Sequence, residues 1–538
     1  MWTIAPVLRH PLSCLPAQQS LQTTVPLFNA WTIWWNADRL THGLKGYWDA
    51  PIFFPTRGAF AFSEPQPATM LVAPLIWLSG SPALGYNTYL LLSLFLNGVF
   101  AYRLLRRTGS PRSFALIGGG MMIWLPLSVR QIDVLQLIPI WPMLWVWDAA
   151  RRHGQTPLKR NAIELALAYT VSVYSSIHHA LFLTIVLSGT AWLLWYRIRT
   201  SNFWATACLA IMIAGTLCGI VIVPMRQHLQ THAFERSTEL VEQSSARAID
   251  FLNTPRDALL LSGSRVRLGL SPGWLKVLLA GLGAVLGYQR RKRRRWAMFL
   301  MLTMILSALL AMGPNLKLGE LQPWGILAEW MPGLRQVRNV FRFAYLTQMA
   351  MILLGILGLS ELRFYLRVWF GRPQSIAWIL GSLAAVALIE VPAPKVIAAG
   401  VPDLNVHQDW TGFVRANCSA GSGILCLPLS PSSKAQDFDF TARWMYLGTL
   451  HGKSMVNGYS GFFPAEFLKL QDRINDEGLS DEVLSQLAKT KIHLLVIHDS
   501  YSEITDASAK SANDHRLKLV FESSNRIRVF QLQLPDGE

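Results

Sequence analysis

The sequence predicts a mostly α-helical polytopic membrane protein of about ten transmembrane helices, followed by a small C-terminal α/β domain. Three observations lead there. Of 538 residues, 51% are hydrophobic and only 15% charged, with positive mean hydropathy; that balance excludes an ordinary soluble globular enzyme. Apolar runs close to the ~17–25 residues that cross a bilayer core recur along the chain. The positive charge falls in the short gaps between those runs. The 21 Trp fit the same picture, because indole rings favour the membrane interface.

The spans read at about 84–104, 113–129, 135–150, 161–177, 178–196, 204–224, 273–289, 296–313, 341–360 and 375–393. Between them lie RLLRRTGSPR (103–112), RRHGQTPLKR (151–160), YRIRT (196–200), RRKRRR (290–295) and LRFYLRVWFGR (362–372), which together hold nineteen Lys and Arg. With Asp148 and Glu361 just beside them, this imbalance is about as large as the net charge of +17. The basicity is therefore topogenic and puts these loops in the cytoplasm. No basic face remains for nucleic acid. The pattern requires the region before Tyr86 to be outside already, yet no run in residues 1–60 is long enough to carry it there, and MWTIAPVLRHPLSCLPAQQS lacks a signal-peptide core and cleavage site. The expectation is a first helix that this sequence does not contain, rather than a translocated tail.

The domain reading that follows has residues 1–83 as an extracytoplasmic first-loop segment with short membrane-surface helices, 84–393 as the transmembrane domain and 394–538 as an extracytoplasmic α/β domain. In the last of these, GILCLPL (423–429), IHLLVIH (492–498), LKLVFES (517–523) and IRVFQL (527–532) read as strands, and AEFLKLQDRI and SDEVLSQLAKT as helices. Cys208 and Cys218 read as small buried hydrophobes within a span. Cys418 and Cys426 are open to a disulfide or to simple burial. His178 and His179 are adjacent on a helix and point about 100° apart, so they read as packing residues rather than a metal pair. Asp499 beside His498, and Asp514 beside His515, read as solvated pairs with no nucleophile spaced for a triad. Arg130 and Asp133, in an outer turn, read as partners of each other.

The first loop holds Asp38, Asp49 and Glu64 among aromatics and Pro51, Pro55, Pro65 and Pro67. Any one of these acids suits a solvated or capping role. A proline-stiffened loop also holds a carboxylate in register with a hydroxyl it is to deprotonate.

In PLFNAWTIWWNADRL, WDAPIFFP, FSE, LLLSLFLNGVFAYRLLRR, PGLRQVRNVFRFAYLTQMAMILLGILGL and MVNGYSGFFP, taken in that order, the chain resembles bacterial membrane proteins of the GT-C glycosyltransferase superfamily. The resemblance spans nearly the whole chain, although no piece is a catalytic signature. It implies a GT-C-like fold and an enzyme that passes a sugar from a polyprenyl-phosphate donor to a cell-envelope acceptor, in the bacterial cytoplasmic (inner) membrane and on its extracytoplasmic face. The family pattern leads us to expect an acid just before PLFN; here Thr24-Val25 stand instead. Asp49 and Glu64, with Asp38 third, are the substitutes by position. Arg338 and Arg342, four apart, are expected to share a helix face at the mouth of the span near Phe341, where they either bind the leaving phosphate or snorkel to the headgroups. NGYSGFFP is expected to close the acceptor side. A divalent metal is compatible with this chemistry, and the sequence offers no ligand set for one. Two other classes stay open: a non-catalytic relative that binds lipid-linked glycan, and a lipid or glycan transporter.

Overall fold

The computed structural model describes residues 4–18, 23–232, 234, 236–255, 257, 268–370, 373–392, 396–498 and 516–533. Asp499, Asp514 and His515 lie outside the described residues. The chain divides into two compact units, Met1–Tyr89 with Val223–Ala233 and Val396–Glu538, and Leu90–Ile222 with Phe234–Lys395.

Within the first unit, α1 (Thr24–Thr41) buries Leu27, Phe28, Trp31 and Trp35. It packs against α14 (Asp439–His451). Strand β1 (Cys14–Ala17) pairs antiparallel with β2 (Ile397–Gly400), Cys14 opposite Gly400. The sequence reading contained neither strand. The five-stranded sheet runs β4-β3-β5-β7-β6, from β3 (Gly423–Leu427), β4 (Ser454–Met455), β5 (Ile492–His498), β6 (Leu517–Ser523) and β7 (Ile527–Leu532). β3 is parallel to β4 and β5; β7 is antiparallel to β5 and β6. The four strands and two helices read from sequence are all present. Helix α15 (Ala465–Glu477) buries Phe467, Gln471 and Ile474, the 3.6-residue periodicity that betrayed it. In α16 (Asp481–Lys489) the Ser480 hydroxyl caps the helix by accepting the Val483 N–H at 3.3 Å. A further helix, α13 (Gln408–Asn417), lies between β2 and β3.

A helix stands in each of the ten stretches read as spans. They are α3 (Pro82–Arg107), α4 (Arg112–Ile123), α5 (Trp141–Gln155), α6 (Lys159–Ser175), α7 (Ile177–Thr190), α8 (Ser201–Thr231), α9 (Trp274–Gln289), α10 (Arg294–Ala311), α11 (Ala344–Phe370) and α12 (Pro373–Ile389). Among the described residues six helical segments are long and apolar enough to cross a bilayer: Pro82–Arg107, Arg112–Arg130, Ile177–Leu194, Ser201–Thr231, Arg294–Ala311 and Val340–Val368. The chain is a multi-pass membrane protein. Helix α8 runs seven residues past the expected end at 224, with Pro224 inside it.

In the second unit α11 is the central helix and almost wholly buried. Helix α9 meets it at glycine: a Cβ on Gly283 would stand 1.9 Å from the Leu354 carbonyl oxygen, and one on Gly358 2.7 Å from the Gly283 nitrogen. Only hydrogen side chains allow so close an approach. Asn97 of α3 holds the start of α5, accepting the Ile140 and Trp141 N–H groups at 3.0 and 2.9 Å and donating to the Ile138 carbonyl at 2.9 Å.

All five basic stretches gather at one end of this unit. Arg107, Arg151 and Arg152 converge on buried Asp148, and Arg152 and Arg103 on Glu164. The Arg293 guanidinium donates to the Gly109 carbonyl at 3.0 Å, Arg295 to Trp192 at 3.5 Å, and the Arg197 N–H to Gly154 at 3.1 Å. Fully buried Glu361 binds Arg290 at 2.5 Å and Arg293 at 2.7 Å.

Candidate functional site

The three first-loop acids have three different settings, all in the first unit. Asp38, in the last turn of α1, pairs with Arg39, and its carboxylate lies 3.7 Å from His42 Nδ1. Asp49 is exposed and accepts the Gly58 N–H at 2.9 Å, a brace across the loop. Glu64 is buried.

The loop carrying Asp49 and Glu64 is held from two sides. On one side it is stitched to NGYSGFFP: the Phe53 and Phe54 N–H groups donate to Asn457 and Met455 at 3.3 and 2.9 Å, Met455 N–H to Pro51 at 3.1 Å, and Phe462 N–H to Phe62 at 3.1 Å. The two glycines of that motif now have a reason. A Cβ on Gly458 would stand 2.6 Å from the Phe53 ring, and one on Gly461 2.8 Å from the Phe62 carbonyl oxygen. Phe53 also packs edge-on against Phe463 and Phe467.

On the other side, Asn36 of α1 donates to the Pro65 and Gln66 carbonyls at 2.7 and 3.1 Å and to Thr69 at 2.9 Å, and accepts the Tyr47 hydroxyl at 2.8 Å. Gln66 donates to Asn29 at 2.8 Å. This buried polar network fixes the backbone immediately after Glu64, and buried networks of this kind are rigid when satisfied. The sequence reading missed it. The available signal was two asparagines seven apart in an otherwise aromatic helix, which places both on one face.

It also missed the last turns of α8. A Cβ on Gly58 would stand 2.2 Å from His228 Nδ1, the His228 ring lies 6.1 Å from Trp48, and that of His232 5.0 Å from Phe62. Two imidazoles thus line the first loop, beyond the expected end of that span at 224.

The two arginines belong to the second unit, at the end of α11 away from the basic loops. They do not share a helix face as expected. Arg338 is in an extended connection, and only at Val340–Phe343 does a single 3-10 turn begin, carrying Arg342 into α11. The extended backbone at Val337 and the non-helical Asn339 break the four-residue spacing. Other charges assemble here. Arg236 is the neighbour of Arg338: loss of water and then the Arg338 guanidinium lower Arg236 to about 10. Asp133 answers to Arg342 and Arg130 to Asp250, rather than the simple Arg130–Asp133 partnership the sequence suggested. Burial pushes the Asp133 carboxyl up to about 6, against its own backbone N–H and Arg342, which favour the charged form. Asp250 accepts the Arg247 and Leu268 N–H groups at 2.8 and 3.0 Å. Guanidiniums close enough to feel each other's charge suit a phosphate.

His179 is buried with its ring 4.8 Å from that of Tyr345, and His178 faces Phe182. Cys418 and Cys426 are free and buried, Cys418 Sγ 3.3 Å from the Ser422 hydroxyl. Among the described residues no group of three or more His, Cys, Asp or Glu is placed to hold a metal ion.

No protein-family model and no curated protein matches the chain. Solved structures do. The arabinofuranosyltransferase AftD from Mycobacteria aligns over 96% of this chain at 14% identity with a TM-score of 0.58. Its R1389S variant gives 0.57 at the same identity and coverage. The chain has a GT-C-type membrane fold. The chain spans about 40% of the length of AftD. ArnT from Cupriavidus metallidurans aligns over 98% of this chain at 13% identity, with a TM-score of 0.41. At 14% identity the likeness to AftD is one of fold, and this chain's own residues must carry the rest.

Proposed function

We propose that this chain is a glycosyltransferase of the bacterial cytoplasmic membrane, moving a sugar from a polyprenyl-phosphate donor to a cell-envelope acceptor on the extracytoplasmic face, where its C-terminal domain also lies. The observation that carries this reading is the GT-C-type fold over nearly the whole chain. The rigid acid-bearing loop supports it. Asp49 is the first choice as general base, because one oxygen is held by Gly58 N–H while the residue stays exposed to an incoming hydroxyl. Glu64 is second and Asp38, already paired with Arg39, third. The base takes the acceptor hydroxyl proton, the oxygen attacks the anomeric carbon, and the bond from that carbon to the phosphate oxygen breaks. Within the second unit, Arg338 and Arg342, with Arg236, are the groups suited to bind a donor phosphate.

The test is transfer of radiolabelled sugar from polyprenyl-phosphate donors by the purified full chain. Asp49→Asn is expected to lower kcat about 10²–10⁴-fold with little change in KM. Undiminished transfer by Asp49→Asn, Glu64→Gln and Asp38→Asn alike would remove the assigned base. The first turn of α1 has no acidic residue, and this favours one alternative, a non-catalytic binder of lipid-linked glycan. That reading predicts donor binding without turnover.

A further inference from the structure

The basic end of the second unit holds much more charge than its own carboxylates answer. Against the nineteen Lys and Arg of the five stretches stand Asp148, Glu164 and Glu361. Topogenesis explains the sign of this excess, but it requires no particular geometry.

The turn joining α9 to α10 has a particular geometry. Six consecutive basic residues, Arg290 to Arg295, make this turn and open α10. Glu361 draws Arg290 and Arg293 inward, and Arg291, Lys292 and Arg294 are left exposed. The Arg294 guanidinium lies over the Tyr288 ring at 5.0 Å, and that of Arg290 over Phe364 at 4.3 Å. Both rings are about half exposed, at 48% and 46%. Tyr288 ends a stripe on α9: at 100° per residue, Leu278, Gly281, Val285 and Tyr288 fall on one face, and all four are exposed. An apolar lane thus runs along the helix and stops at a cluster of cations resting on aromatic rings. Rings of this kind sit at headgroup depth.

We propose that the α9–α10 turn binds the phosphate headgroup of an anionic glycerophospholipid, with Arg291, Lys292 and Arg294 on the phosphate and an acyl chain along the Leu278–Val285–Tyr288 lane. Arg294 is steered by its stack on Tyr288, and Arg290 and Arg293 fix the turn through Glu361. A neutral zwitterionic lipid fits the same lane but forgoes most of the charge attraction, about 1 kcal/mol for each basic residue near the surface. The proposal is independent of the catalytic reading.

The experiment is native mass spectrometry of the delipidated full chain, titrated with phosphatidylglycerol or phosphatidylcholine of the same acyl chains. The wild type is expected to retain phosphatidylglycerol selectively. Arg291→Gln/Lys292→Gln/Arg294→Gln is expected to weaken it about a hundredfold, three charges at about 1 kcal/mol each. Arg160→Gln/Arg197→Gln/Arg199→Gln removes the same charge at the same end and is expected to weaken it far less. Arg291→Lys/Arg294→Lys preserves the charge and is expected to keep binding within a few fold. Should the triple variant fail to fold, the single Arg291→Gln and Lys292→Gln changes are each expected to cost about fivefold. Equal losses in the two triple variants would mean diffuse attraction and overturn the site. Competition by inorganic phosphate at the lipid's own affinity would overturn the lipid assignment in favour of a free-anion site.

Discussion

The two ends of the helical unit treat charge in opposite ways. At the basic end every carboxylate is shared between arginines: Glu361 by two, Glu164 by two, Asp148 by three. At the far end of the same central helix, Arg236 feels the like charge of Arg338, and burial shifts Asp133 towards its neutral form. Ion pairs at the first end hold loops together. Charges at the second are placed at a local cost, as is common where a ligand's charge is to be met.

The contrast can be broken by substitution, beginning with the largest effect. Glu361→Gln leaves Arg290 and Arg293 facing each other without their carboxylate, and is expected to lower stability by about 3–5 kcal/mol, read as thermal unfolding in nanodiscs. A loss below about 1 kcal/mol would mean the triad is not structural. Next comes Asp133→Asn. The folded carboxyl titrates near 6 and the unfolded one near its ordinary value of 3.8, so the native state binds the extra proton between these pH values. Wild-type stability therefore falls as pH rises from about 4 to 6, and the penalty is complete above 6. Asp133→Asn is expected to be more stable than wild type by about 1–2 kcal/mol at pH 7.5, after allowance for solvent screening, with the difference vanishing below pH 4. A variant less stable than wild type at pH 7.5 would show that the Arg342 interaction outweighs burial. Smallest is Arg338→Gln. Its side chain is exposed and faces a like charge, so stability is expected to stay within about 0.5 kcal/mol, while affinity for a polyprenyl phosphate drops. Retained lipid-phosphate affinity would separate Arg338 from the proposed function.

Legibility followed the range of the forces involved. Spans and strands were readable because burial imposes a period on the local sequence, and the basic loops because topogenic charge is also local. The β1–β2 pair was not readable: four residues such as CLPA have no period, and their partner lies nearly four hundred positions away. The same is true of the site. Asp38, Asp49 and Glu64 could be singled out by type and loop context. That Asn36 clamps the chain after Glu64, that His228 presses on Gly58 and that Arg236 stands beside Arg338 are consequences of tertiary approach. The Arg338–Arg342 spacing misled because it assumed a helix beginning a full turn earlier than it does. NGYSGFFP stands out in the sequence as a segment rather than for its glycines. Their purpose, admitting Phe53 and the Phe62 carbonyl, needed coordinates.

The pairing of Cys14–Ala17 with Ile397–Gly400, and of α1 with the helix at Asp439–His451, has a consequence for biogenesis. At a synthesis rate of about 5–20 residues per second, the aromatic face of α1 waits roughly 20–80 s before the segment that covers it has left the ribosome. During that interval Phe28 lacks Tyr459, the ring it meets edge-on, and Trp31 and Trp35 have Phe60 of the first loop to pack against. Slow translation between those points would lengthen the vulnerable period without altering a single native contact.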